Sequence, residues 1–131
     1  MESEPRILVV GCGAIGGVIA AHLAELEHDV TVLTTNAAIA AVLRERGLRV
    51  RGETPPSPAS PRGVLEVLDD QVRPFDYVLL AVQPPQVEAA ARAASGWLER
   101  DGRMVCFQNG LCEERVGAVM GPERVLGAVV A

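Results

Sequence analysis

The residues of this 131-residue chain best placed to do chemistry cluster at Gly11, Gly13 and Gly16, inside the apolar run VVGCGAIGGVIAAHL. Glycines spaced G-x-G-x-x-G after a strand suit one task, which is to bring phosphates against bare backbone at the start of a helix. Gly11 permits the tight turn, Gly13 lets a pyrophosphate approach the main chain, and Gly16 lets helix and strand pack closely. Cys12, Ala14 and Ile15 complete the loop, with the Cys12 thiol read as packing. The competing reading is a tight strand-to-helix turn without a ligand. Further candidates are Thr34, Thr35 and Asn36, then Val82 and Gln83, then Asn109 in a QNG segment. Their hydroxyls and amides can orient a polar ligand but are poor proton donors.

Other chemistries are excluded by what the chain lacks. All twelve basic residues are arginine, so these residues supply no amine for a Schiff base or for proton donation. Cys12, Cys106 and Cys112 are an odd number without C-x-x-C spacing, which indicates neither a disulfide framework nor a zinc site; no metal is expected. His22 falls in mid-helix and His28 just before a strand, at the end away from the candidate loop, so both read as structural.

The elements that must position these residues alternate along the chain. Residues 6–11 (RILVVG) form a continuous aliphatic run, as in a strand buried on both faces of a parallel sheet. Residues 14–27 read as a helix packed on it, and 29–34 (DVTVLT) as a second strand. Asn36 can cap a helix over 37–46 that stops at Gly47. Residues 48–51 and 64–68 read as strands flanking GETPPSPASPRG, whose four prolines forbid regular structure. Residues 75–82 (FDYVLLAV) are the next buried strand. Pro84 and Pro85 then open a helix with Val87, Ala91, Ala94 and Leu98 on one face. Asp101 and Gly102 turn the chain into the strand MVCF, residues 113–120 read as helix, and 124–131 as a last strand.

Strands alternating with helices imply an α/β fold, a Rossmann-type doubly wound and mostly parallel sheet with helices on both faces. Its ligand crevice lies outside the carboxyl ends of the strands. Residues 1–131 read as one dinucleotide-binding domain, since the hydrophobic share of 49% is that of an ordinary globular domain and the length suits one core. The net charge of −5 comes with no basic stripe, so nucleic acid is not an expected partner. The apolar run near the N-terminus is too short for a membrane span. MESEPR has the wrong charge for a secretory signal, and a cytoplasmic location is expected. Oligomeric state has no signature, and a homo-oligomer is compatible with the sequence.

Sites that take NAD usually place an acid near the end of the second strand to hold the ribose 2′-hydroxyl. Thr34, Thr35 and Asn36 offer hydroxyls and an amide with nothing anionic to repel a 2′-phosphate, which favours NADP(H) and leaves NAD(H) open. Asn36 also has a second reading, as a helix cap compatible with either cofactor.

These motifs together resemble the N-terminal half of the ketopantoate reductases, through GCGAIGG, EHDV, LLAVQPPQV, and FQNGLCEERV followed by GPERVLGAVV. The resemblance implies NADPH-dependent reduction of 2-dehydropantoate or a related 2-keto acid, in pantothenate biosynthesis, with Asn109 beside the nicotinamide and substrate. It also marks departures. Thr35 stands where the family commonly has an arginine for the 2′-phosphate, and Gln83 where it often has a lysine. The family's general-acid lysine belongs to a C-terminal helical domain, read as absent after Ala131, so this chain alone is expected to bind cofactor without turnover. The rival expectation is a stand-alone dinucleotide-binding module that senses or regulates and catalyses nothing.

Overall fold

The computed structural model describes residues 4–52, 55–107 and 112–128. Among the described residues there are six strands, β1 (Arg6–Val10), β2 (Asp29–Leu33), β3 (Gly63–Leu65), β4 (Phe75–Leu80), β5 (Leu98–Cys106) and β6 (Val125–Gly127), with helices between successive strands except between β3 and β4. The helices are α1 (Ala14–Glu25), α2 (Ala37–Arg46), α3 (Val87–Ala94) and α4 (Cys112–Met120). The strands form one sheet in the order β3-β2-β1-β4-β5-β6, and every neighbouring pair is parallel. This is the doubly wound Rossmann-type order, and it changes direction between β1 and β4, where such sheets bind ligands.

Side-chain alternation explains why the central strands read as unbroken apolar runs. Leu8 and Val10 of β1 join Val78, Leu80 and Met104 in one core, closed by Val87, Ala91 and Ala94 of α3 and Val116 of α4. Ile7 and Val9 point the other way and join Val30, Val32 and Leu79 in a second core under α1 and α2. A strand covered on both faces has no solvent side, so polarity cannot alternate along it.

Several expected boundaries are corrected. Residues 48–51 do not enter the sheet: Leu48 makes a single antiparallel bridge to Ala59, and only Gly63–Leu65 of the second segment pairs, with β2. Pro58 and Pro61 lack N–H groups, so the ladder cannot extend past Ala59. β5 begins at Leu98, not after Asp101 and Gly102. The expected turn is instead a register shift within the strand, where Phe75 pairs with Leu98 and Tyr77 with Arg103. A Cβ at Gly102 would stand 2.8 Å from the Asp76 carbonyl oxygen, so only glycine fits that irregularity. Leu98 therefore leaves the helix face predicted for it, although it stays in the same core. Pro122–Arg124 is a 3-10 turn and β6 starts at Val125; the last three residues of the expected strand lie outside the described residues. Among the described residues, no helix is long and apolar enough to cross a membrane.

Candidate functional site

The loop between β1 and α1 crosses the carboxyl ends of the strands at the point where the sheet order reverses. Its first glycine has φ 93°, a left-handed conformation that side chains resist. A Cβ at Gly11 would also lie 2.8 Å from the Ala81 carbonyl oxygen. Gly16 is fixed by proximity, because a Cβ there would collide with the Gly11 carbonyl oxygen and lie 3.0 Å from Ala81 Cβ. Gly13 differs from both: it has ordinary extended dihedrals and precedes α1, and a Cβ there would meet nothing within 4 Å. Two glycines are demanded by the fold, while the third leaves space that the fold does not use.

That space lies at the start of α1, which has no side-chain cap and no acid in its first turn. Its leading N–H groups and the positive end of its dipole are therefore unmatched by the chain's own acids. Two cavities meet at Gly13. One, of about 270 Å³, is lined by Ala14, Ile15, Ala81, Val82, Gln83 and Phe107 among others. The other, of about 250 Å³, runs past Gly11, Thr34, Thr35, Val82, Gln83 and Gln86. Both share Gly13, Ala81, Val82 and Gln83, so together they form an elongated crevice with Gly13 at its middle. None of the residues lining either half is charged.

The expected residues fall at different places around this crevice. Gly11, Gly13, Ala14, Ile15, Thr34, Thr35, Val82 and Gln83 line the crevice, and Gly16 packs beneath it. Thr34 is buried, and its Oγ1 accepts from the Asn36 backbone N–H at 3.3 Å. Asn36 Oδ1 accepts from the N–H groups of Ala38 (3.0 Å) and Ile39 (3.1 Å), capping α2. The helix-cap reading of Asn36 therefore holds; Thr35 and Asn36 are both exposed, and Thr35 is the one of the three with no hydrogen bond from its side chain to another described residue. Cys12 lies on the far side of the loop, against the α1–α2 face. Burial pushes its thiol pKa up, as suits a packed thiol. Cys106 is buried at the end of β5, and desolvation, then Cys112 and Glu113, pushes its pKa up to about 11. Asn109 lies outside the described residues.

His22 is exposed on α1, and His28 stands 3.8 Å from Glu4 at the opposite end of the sheet. Sequence reasoning missed Ala81, Gln86 and Phe107 as lining residues. Phe107 had a signal, since it follows the last buried residue of a strand that ends at the crevice. It also missed Arg115, whose Nε donates to Glu88 Oε1 at 2.5 Å and whose Nη2 donates to the Pro84 carbonyl at 3.2 Å. That hydrogen bond to Glu88 pushes the guanidinium pKa up. Arg115 thereby ties α4 to α3 and to the Gln83–Pro84 wall of the crevice.

Comparison with known proteins agrees with this architecture. The chain is similar to 2-dehydropantoate 2-reductase from Methylococcus capsulatus, at 26% identity and TM-score 0.78, covering 95% of this chain and 40% of that one. It is similar to the 2-dehydropantoate 2-reductase of Porphyromonas gingivalis W83 at 21% identity and TM-score 0.81, over 98% and 47% of the two chains. A D-mandelate dehydrogenase solved with NADH and anilino(oxo)acetate matches at 20% identity and TM-score 0.76, over 95% and 40%. The chain thus spans less than half the length of these relatives. The family profile described as ketopantoate reductase PanE/ApbA matches residues 7–131, which is nearly the whole sequence, and the chain belongs to that family.

Proposed function

We propose that this chain holds a nicotinamide dinucleotide, NADP(H) in preference to NAD(H), for an oxidoreductase acting on 2-dehydropantoate or a related 2-keto acid. The observation that carries the reading is the uncharged crevice at the switch point, with unfilled space at Gly13 and the uncapped start of α1 beside it. These residues fit the group: the pyrophosphate would lie on the N–H groups of the loop and α1, with one nucleoside toward Thr35 and the other toward Phe107. Thr35 supports the NADP preference, since it is exposed at the end of β2 with no acid among the residues lining that half of the crevice. Membership of the family supports the substrate class, as does the keto-acid-like ligand of the mandelate dehydrogenase.

When bound, the cofactor supplies a hydride. This chain's residues orient and shield: Val82 and Phe107 give apolar walls, while Gln83 offers an amide to a ribose or carboxylate. Asn109 is assigned the same orienting role on the family resemblance. The sequence holds no lysine, so we assign protonation of the developing alkoxide to a group outside these 131 residues. On this reading residues 1–131 are the cofactor domain of a two-domain enzyme of the cytoplasm.

The test is a fluorescence titration of the chain with NADPH and NADH, paired with a turnover assay on 2-dehydropantoate. Saturable binding, tighter for NADPH and without turnover, is the expected result. Absence of binding to either cofactor would overturn the proposal. Turnover at about 1 s⁻¹ or faster, an ordinary enzyme rate, would overturn the assignment of the proton donor.

A further inference from the structure

A third cavity, of about 510 Å³, opens on the other side of the glycine loop, between α1 and the segment that follows α2. Its charged lining residues are Arg46, Arg49 and Arg51, and no acid lines it. All three arginines are exposed, and none is in a hydrogen bond or ion pair with another described residue. Most other arginines here have such partners: Arg6, Arg44, Arg62, Arg103, Arg115 and Arg124 each donate to a carbonyl or carboxylate.

The fold fixes where this unpaired charge stands. α2 ends at Gly47, whose φ is 73° and whose Cβ would lie 2.9 Å from both the Ala59 carbonyl and Ser60 Oγ. Only glycine makes that turn. Leu48 then exchanges backbone hydrogen bonds with Ala59, at 2.7 and 3.3 Å. Leu48 is buried and Val50 packs on the α1–α2 core. Burial alternates along the segment, with Leu48 buried, Val50 half-buried and Arg49 and Arg51 exposed, so the two arginines are turned outward together.

The groove adjoins the crevice directly. Gly11 N–H donates to the Leu33 carbonyl at 2.8 Å, which holds the loop against the end of β2. Cys12 lines the groove, while its neighbours Gly11 and Gly13 line the Thr35 half of the crevice. That half contains no charged residue of its own. A phosphate monoester carries a charge between about −1.5 and −2 at neutral pH, so one seated beside Thr35 would need a cation from outside the crevice.

We propose that Arg49 and Arg51, with Arg46 beside them, are the cationic subsite for the 2′-phosphate of NADP(H), reached across the glycine loop from the Thr35 end. The inference rests on the cofactor reading above and names the residues that would set the preference within it. The pyrophosphate, common to both cofactors, is served by the N–H groups of the loop and α1; the arginines serve the one anion that NADH lacks. Guanidinium groups suit this task, because they are permanently charged and can present two donors to one phosphate.

The experiment compares the wild type with the double variant Arg49→Gln/Arg51→Gln by calorimetric titration with NADPH, NADH and 2′,5′-ADP, alongside thermal unfolding. The expected result is affinity for NADPH and 2′,5′-ADP weakened about tenfold, as for loss of a hydrogen bond to a charged group. NADH affinity should change by less than about twofold, with the unfolding midpoint unmoved because the side chains are exposed and unpaired. Unchanged NADPH affinity in the variant, with the wild type binding normally, would overturn the subsite alone. Equal loss for NADPH and NADH would do the same, by placing the charge at the pyrophosphate. A wild type that binds neither cofactor would overturn the cofactor reading, and this inference with it.

Discussion

At the amino ends of the strands Arg6 has almost every group engaged, whereas at the carboxyl ends the glycine loop faces open space and three arginines have no partner among the described residues. The Arg6 N–H donates to Asp76 Oδ2 at 2.7 Å, and its Nη1 donates to the carbonyls of Arg73 and Pro74 at 2.9 and 2.8 Å. Its guanidinium lies 4.6 Å from the Phe75 ring centre, and its Nε is 3.7 Å from Asp29. Arg62 joins the network through Glu4 at 3.1 Å and Asp29 at 3.6 Å. Around Arg6 the polar groups are engaged within the chain, while at the other end α1 starts without a side-chain cap and Arg46, Arg49 and Arg51 have no partner among the described residues. Stability and binding should therefore separate by end of sheet, and mutations can test that separation.

The largest effect belongs to a residue that serves both. Gly16→Val forces a side chain into the Gly11 carbonyl and Ala81, and overpacking of this kind costs about 3 kcal/mol. Chemical denaturation should show that loss, with cofactor binding falling in parallel because the loop is displaced. Next, Arg6→Met should cost about 2 kcal/mol through lost hydrogen bonds and the cation–π contact, while Kd for NADPH stays at the wild-type value. A shift in Kd would mean that the two ends are coupled. Smaller still, Thr35→Asp should weaken NADPH about tenfold by like-charge repulsion and leave NADH equal or tighter, with unchanged stability. A cofactor preference that does not move would place Thr35 away from the ribose.

The amino-to-carboxyl contrast also marks what the sequence could reveal. The strand–loop–helix context of Gly11, Gly13 and Gly16 was legible because the three glycines stand close together in sequence, between an apolar strand and a helix that follows at once. The central strands were legible because burial on both faces removes polar alternation. The register shift at Gly102 was not, since it depends on how β5 meets the Asp76 carbonyl on another strand. Nor was the failure of residues 48–51 to join the sheet, which turns on what Pro58 and Pro61 deny to a distant partner. Among the site residues, Thr34 and Asn36 were assigned by position at a strand end. Thr34 Oγ1 and Asn36 Oδ1 accept from backbone N–H groups of the chain, and contacts of that kind leave no trace in composition. The Arg115–Glu88–Pro84 tie joins residues 27 and 31 positions apart, beyond any local pattern.

Gly13 isolates the central claim, because its substitution should touch the ligand space and nothing else. Valine at this position has allowed dihedrals and no neighbour within 4 Å of its Cβ. Gly13→Val should therefore unfold within a few degrees of the wild type while losing NADPH affinity about a hundredfold or more, as the pyrophosphate forfeits charge-assisted bonds to the loop. The decisive measurement is NADPH titration of that variant at matched folded fraction. Loss of binding with retained fold is the predicted result; wild-type affinity in a folded Gly13→Val chain would contradict the account.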